Sequence, residues 1–557
     1  MWEQLNTAQN MGTDRMLILN VGDLKPIEVA TTLGLSLAYE GTKSLAPTNG
    51  SVTGVSAWVQ KWARRTFPTL DSAKVAHVVE GYNALNAKIK PELVNASSWS
   101  LIQFDEAERV EAEWQTIVDM VNDLQTSVGD DLYPAFYQLV AYPALASANL
   151  NQLYLAVGRS VLYASQARTS ANMWADKANE YFAKDEALSA GYHQLLDYKW
   201  DGMMSQTHIG YQYWQQPMRN QLNPGPASLQ HDYWPLQSLG PMRITIPTLK
   251  GAWPGDNGFN CALGYNCPGP TLSGLSRYST RPAWVDVSSG SWIDFEYTAT
   301  ANVSWVKVSS ASGSIAGDGS TDARVHVSID WSQVPSNASD TVYGGIMFAS
   351  KPNDHPQTVV NVTVVADTRT VDTSSAKAGS FIGGANYVAM HATNATVKNN
   401  IDNVTWTELP YYGLTGNALV DLPPTHAFYA AGEGPSLEFD FYSQVPASNL
   451  NCTMFFGPFE SYHRGNPFQY AVSLDGSEPV VQQPIPVPKN AGSEPADWTG
   501  VVASSIRKST TMFNGTSTAP GWHTLKVFNM VPGMVLETVV CGEYPLTSLP
   551  PPQSYRL

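Results

Sequence analysis

The sequence lacks the short motifs that announce most chemistries. It has no HExxH, no CxxC pair, no GxxxxGK[ST] loop and no GxGxxG opening a helix, so metalloprotease, zinc and nucleotide readings lose their usual support. No metal and no other cofactor is expected. "AGDGSTD" around Asp318 lacks the remaining spacing of a calcium loop and reads as a hairpin turn, since Gly and Asp are what turns require. Charged residues make up only 14% of the chain and leave a net charge of −16, with no basic run to neutralise phosphates. Nucleic acid is therefore excluded as a partner. No stretch reaches the roughly 18 to 20 consecutive apolar residues that a bilayer-spanning helix needs, so no membrane association is expected.

Cysteine is scarce as well, with four in 557 residues. Cys261 and Cys267 bracket a Gly/Asn-rich turn, while Cys452 and Cys541 stand in the last quarter. Three pairings are open. The favoured one joins Cys261 to Cys267 as a local clip and Cys452 to Cys541 as a cross-link, because each then lies within one fold unit. Asn-x-Ser/Thr sequons crowd the second half at Asn302, Asn337, Asn361, Asn394, Asn403, Asn451 and Asn514, as glycosylation acceptors of a secreted protein would. Yet "MWEQLNTAQNMGTDR" has no basic head, apolar core and cleavage site.

What is present is packing material. Apolar residues are 43% of the chain, with 17 Trp and 26 Tyr, and the length calls for two to four domains. "MLILNV" near the start shows no apolar/polar alternation, so as a strand it would be buried on both faces, as in a parallel sheet covered by helices. Pro26 then suits the first turn of a helix running to Gly41. One strand and one helix cannot make such a sheet. The unpaired strand and the missing signal peptide together lead to the expectation that this is the C-terminal portion of a longer secreted protein.

From about residue 57 to 200 the spacing predicts a bundle of four or five helices. Val75, Val78, Val79, Tyr82, Leu85 and Ile89 recur at helical spacing, with Asp71 placed to cap and Pro91 to terminate. Phe104 to Leu124, Phe136 to Val140 with a bend at Pro143, and Trp174 to Leu195 follow. Residues 201–240 have no period and read as an ordered connector. Beyond them, alternating β-branched runs such as "RVHVSIDW" and "VVNVTVVA" predict one β-sandwich over 241–370, and after a Ser/Ala-rich linker a second over 377–557. The fold class is thus multidomain α+β: an opening piece of a parallel sheet or barrel over 1–45, a helical bundle, and two antiparallel β-sandwiches.

Chemistry is expected at the opening run. Residues at the C-terminal ends of parallel strands face substrate, and Asn20, Asp23 and Lys25 hold that position; Asn20 can donate to and accept from a sugar hydroxyl, and Lys25 can meet an anion. Against this, Asp23 also suits a helix cap and Asn20 a turn.

"ILNVGDLKP", a helical bundle, "MMSQTHIGYQYW" and a closing "YPLTSLPPPQSY", in that order, resemble glycoside hydrolase family 115, the α-glucuronidases acting on xylan. The resemblance implies inverting release of α-1,2-linked (4-O-methyl)glucuronic acid from plant glucuronoxylan or its oligosaccharides. It implies that residues 1–45 are a remnant of a (β/α)8 barrel, that Asn20 is the barrel asparagine near the uronic acid, and that the C-terminal unit is the family's β-sandwich; the unit over 241–370 also looks like an immunoglobulin-like insert of the kind attached to carbohydrate enzymes. His208, Tyr211 and Trp214 of the connector are candidates for the barrel mouth. The family's acid and base are expected in the barrel, most of which is missing here, so the catalytic residues are unassigned and the 557 residues are expected to be inactive alone. Inversion needs two carboxyls about 6.5–9.5 Å apart around a water, and Asp23 cannot be both. The other readings are a non-catalytic carbohydrate-binding protein or pseudoenzyme, stacking sugars on Trp406, Tyr411 or Tyr412, and a scaffold pairing two copies as a homodimer through the helices.

Overall fold

The computed structural model describes residues 1–22, 24–41, 53–230, 240–280, 283–336, 338–352, 356–384, 386–444, 449–463, 465–490, 493–514, 520–544 and 549–557. Helices come first: α1 (Trp2–Asn10), α2 (Glu28–Glu40), α3 (Thr53–Thr66), α4 (Ser72–Lys88), α5 (Glu106–Gln125), α6 (Tyr133–Phe136), α7 (Tyr142–Ser165) and α8 (Ser170–Tyr198). Asp71 caps α4 by accepting from the N–H groups of Ala73 and Lys74 at 2.9 and 3.2 Å, and the chain leaves the helix before Pro91. A π-turn over Tyr137–Ala141 joins α6 to α7 just ahead of Pro143, which stands in the first turn of α7. The apolar faces meet in one core around Val75, Val79, Trp114, Val121, Phe136 and Val140, all essentially solvent-free. Full burial of one such large side chain stabilises by roughly 1.5–3 kcal/mol.

That helical core continues into the C-terminal sheets. Ala389, Leu414, Phe455 and Val540 pack on it, and the buried Glu106 carboxylate accepts the Leu549 N–H at 2.9 Å and the Ser100 N–H at 3.2 Å. The helices therefore cover one face of a six-stranded sheet centred on Val535–Gly542, flanked by Asn449–Phe456 and Gly416–Leu422. Its other face shares a core with a seven-stranded sheet built on the antiparallel pair Ser436–Ser443 and Gly521–Asn529. Phe439, Phe441, Met454, Phe456, Leu525 and Val539 fill that core.

An earlier pair of sheets stands between helices and C-terminal unit in sequence. Four strands (Met242–Thr245, Ala283–Ser289, Ala323–Ile329, Val306–Val308) face five (Thr271–Ser276, Val359–Asp367, Thr341–Pro352, Phe295–Ala301, Ser312–Ile315). Val285, Val287 and Val325 meet Tyr297, Phe348 and Val362 between them. This pair is fixed to the bundle by charge. Arg168, buried after α7, reaches Asp322 at 2.5 Å, and Arg324 pairs with Asp286 at 2.8 Å and Glu108 at 3.2 Å. Around "AGDGSTD", Asp318 accepts the Ser320 N–H at 2.8 Å, a turn closed on itself.

The opening run behaves differently from the expectation. Residues 15–22 form neither strand nor helix; Met16, Ile18 and Leu24 are 75%, 81% and 67% exposed. The physical reason is in the strand pattern itself. A strand apolar on both faces gains its stability from neighbours on two edges and two faces, and no described strand lies near enough in this chain to pair with it. The helix predicted after Pro26 forms as α2 and ends at Gly41, whose φ of 61° is open to glycine at little cost. Ahead of the run, α1 forms where no helix was foreseen.

Candidate functional site

Lys25 leads to the most unusual side-chain arrangement near the opening run. Its ammonium is ion-paired with the Glu28 carboxylate, one turn on, and lies 4.9 Å from the centre of the Trp200 ring. Lys199 approaches the same indole at 5.1 Å. Two cations at one indole repel each other; the ring quadrupole attracts both, and Glu28 also holds Lys25. Trp200 reaches this place through a break in α8: Leu195 is extended, and Leu196, Asp197 and Tyr198 all take left-handed φ values of 53°, 56° and 61°. Each such non-glycine residue costs about 1–3 kcal/mol, a cost that persists only where the surroundings impose it. A straight continuation of the helix would carry Trp200 away from Lys25.

The polar atoms around this indole are short of partners. Among the described residues, Trp200 Nε1, the Tyr192 hydroxyl and both Glu28 oxygens are buried without a hydrogen bond, although Glu28 keeps its ion pair. The Tyr192 hydroxyl is pushed well above the usual phenol range by burial, and further by the Glu28 and Tyr142 groups nearby. Tyr142 stacks edge-on to Tyr192 at 5.1 Å and feels Asp185 in turn. The line ends at His208, whose Nε2 meets both Asp185 oxygens at 2.9 Å while Nδ1 meets the Gln206 carbonyl at 2.9 Å. Burial lowers the proton affinity of His208, but the Asp185 carboxylate outweighs it and the ring is held more basic than a free imidazole. With both nitrogens engaged, His208 braces the connector.

The predicted residues thus scatter. Lys25 is in the arrangement and His208 is joined to it through Asp185, Tyr142 and Tyr192. Asn20 is exposed with no hydrogen bond among the described residues, and Asp23 lies outside them. Tyr211 is half-buried, and Trp214, 69% exposed, makes a solvent-facing turn and contacts neither Lys25 nor Trp200. Trp200, Lys199, Glu28 and Tyr192 were missed. Their only sequence signal is the "KWDG" that closes the last helix, where a Trp beside Lys at a helix end invites a cation–π contact.

The structure joins Cys261 to Cys267 and Cys452 to Cys541. Of the sequons, Asn302, Asn361, Asn403 and Asn514 are exposed; Asn394 is half-buried and donates to Gln553 at 2.7 Å, Asn451 is half-buried, and Asn337 lies outside the described residues. No group of three His, Cys, Asp or Glu side chains among the described residues is placed to hold a metal ion, and no helix among them is long and apolar enough to cross a membrane.

Comparisons with known proteins give the arrangement its context. The sequence matches the family model for glycosyl hydrolase family 115 over residues 1–93 and that for the glycosyl hydrolase family 115 C-terminal domain over residues 380–553. No curated protein matches it. Among solved structures, a family GH115 4-O-methyl-α-glucuronidase with specificity for decorated arabinogalactans is 15% identical and aligns over 98% of this chain with a TM-score of 0.52, a likeness of fold. The present chain spans 48% of that structure's length. The C-terminal CBM6 of a laminarinase from Zobellia galactanivorans and a family 35 carbohydrate-binding module from Clostridium thermocellum, each 10% identical and each matched to 28% of this chain, cover 100% and 98% of their own chains at a TM-score of 0.18, from which no shared fold follows. Family models of glycosyl hydrolase family 115 thus match the sequence at both of its ends, over just under half of the chain.

Proposed function

We propose that this chain serves the inverting removal of α-1,2-linked (4-O-methyl)glucuronic acid from glucuronoxylan-type polysaccharides, and that its own contribution is recognition of the uronic acid carboxylate. One observation carries the assignment of that role: the Trp200 ring with the Lys25 and Lys199 ammoniums against it. An indole face offers a stacking surface for a pyranose, and two cations beside it favour a sugar that bears a carboxylate over one that does not. Lys25 would exchange Glu28 for the substrate carboxylate, and the apolar, exposed run ahead of it reads as the remnant of a barrel strand. The two pairs of facing sheets read as β-sandwiches, and the two disulfides and four exposed sequons favour a secreted protein.

The same geometry argues against turnover by these 557 residues alone. Inversion needs one carboxyl protonated and one free to activate water. Near Trp200, Asp185 stays paired with His208, and Glu28, once Lys25 turns to the substrate, is one carboxyl where inversion needs two. Incubating the protein with glucuronoxylan and quantifying released acid by chromatography tests this: no release is expected, and steady release by the chain alone overturns the assignment of the acid and base to elsewhere.

A further inference from the structure

A cavity of about 480 Å³ lies between the N-terminal helices and the hairpin Thr405–Tyr412/Gly416–Leu422, apart from Trp200. Its size is within the ~300–1,000 Å³ of small-ligand sites. Trp58, Tyr82, Tyr411 and Tyr412 supply aromatic surface, and Ser56 and Glu80, hydrogen-bonded to each other at 2.5 Å, supply the polar part. No Lys or Arg side chain lines it among the described residues.

The hairpin is distorted to make this lining. In a regular strand consecutive side chains point to opposite faces, so Tyr411 and Tyr412 could not both line one cavity. A register shift between Pro410 and Tyr412, with Tyr411 at a φ of 57°, breaks the alternation and brings both there. Bulges of this kind re-aim side chains beside functional sites, and a left-handed tyrosine costs about 1–3 kcal/mol. Packing alone gives little return for that cost, because the Tyr411 ring remains 42% exposed.

We infer that this cavity is a second carbohydrate site, one that takes an uncharged segment of the polysaccharide by stacking it on Tyr411 and hydrogen-bonding it to Glu80 and Ser56. The choice of sugar as ligand rests on the proposed function above. No described Lys or Arg side chain lines it, whereas Lys25 and Lys199 stand at the Trp200 ring, so an acidic sugar would meet the carboxyls of Glu3 and Glu80 here. Burial raises the proton affinity of Glu80 despite its bond from Ser56 and the nearby His77, which increases its share of the donor form that a sugar hydroxyl oxygen accepts from. The two sites would grip one decorated chain by its charged branch and its neutral backbone separately.

Isothermal titration of the full chain with xylotriose, galactobiose and glucuronic acid tests the inference. A neutral oligosaccharide should bind, Tyr411→Ala and Glu80→Leu should each weaken it by about tenfold, the loss expected for one stacking or hydrogen-bonding partner, and neither should change the binding of glucuronic acid. Circular dichroism on each variant separates lost contacts from lost folding, and Glu80→Leu, which keeps bulk but no hydrogen-bonding atom, serves where Tyr411→Ala does not fold. If the neutral sugars fail to bind the folded wild-type protein while glucuronic acid binds, the second site is refuted and the Trp200 reading stands. If glucuronic acid alone fails, the Trp200 reading falls and this one survives.

Discussion

Glu537 is the group whose ionisation should control stability most. It is solvent-free in the strand Val535–Gly542, beneath Gly413, and its Oε2 accepts the Leu414 N–H at 2.8 Å and the Thr415 N–H at 3.3 Å, while Oε1 has no partner among the described residues. Burial raises its pKa from 4.5 to about 8, against the two backbone bonds that favour the anion. An acid with a raised folded pKa keeps its stability below the unfolded value and loses it as pH climbs to the folded one, because the unfolded chain ionises first. At about 1.4 kcal/mol per tenfold of proton affinity, the ceiling on this loss is ~5 kcal/mol, most of it falling between pH 5 and 8. Urea unfolding of wild type and Glu537→Gln at pH 5 and pH 8.5, followed by tryptophan fluorescence, isolates the effect. The variant should equal wild type within about 1 kcal/mol at pH 5 and exceed it by a few kcal/mol at pH 8.5. A difference between the two proteins that does not change with pH refutes the reasoning.

Other substitutions probe the remaining supports. Replacing Arg168 by Ala leaves Asp322 without its cation at the bundle–sheet junction, while Asp286 keeps Arg324, and should cost about 3–5 kcal/mol in a thermal or urea melt. Replacing both Cys452 and Cys541 by Ala opens an 89-residue loop and should cost about 4–5 kcal/mol, whereas the same change at Cys261 and Cys267, six residues apart, should cost about 2 kcal/mol. Gly413→Ala puts a Cβ about 2.0 Å from the Glu537 carboxylate at a φ of 65°, and should lower the melting temperature more than Gly416→Ala, where a Cβ meets nothing within 4 Å and only the φ of 84° opposes it.

Much of the secondary structure could be read from the residues, because it is written in local spacing. Val75, Val78, Val79 and Leu85 fall on one face of a helix wherever that helix sits, and Asp71 and Pro91 mark its limits without reference to the rest of the fold. "MLILNV" shows where this stops: its composition states what surroundings it prefers, and those surroundings are not supplied within the described chain. The Trp200 arrangement was beyond reach for another reason. Leu196, Asp197 and Tyr198 adopt left-handed backbone without a glycine among them, so nothing local announced the turn that brings Trp200 to Lys25. Tyr411 and Tyr412 were singled out as sugar-stacking candidates from their type, yet the bulge that places both on one cavity depends on the hairpin register. Trp406, singled out with them, packs against the core between the C-terminal sheets instead.

The most direct measurement is a calorimetric titration of the protein with glucuronic acid and with glucose, repeated for Lys25→Ala and Trp200→Ala. Recognition through a charged hydrogen bond worth ~1.5–3 kcal/mol predicts that glucuronic acid binds more tightly than glucose, that the preference weakens at high salt, and that Lys25→Ala reduces its affinity about 10- to 100-fold. Equal binding of both sugars, or glucuronic acid affinity untouched in both variants, would contradict it.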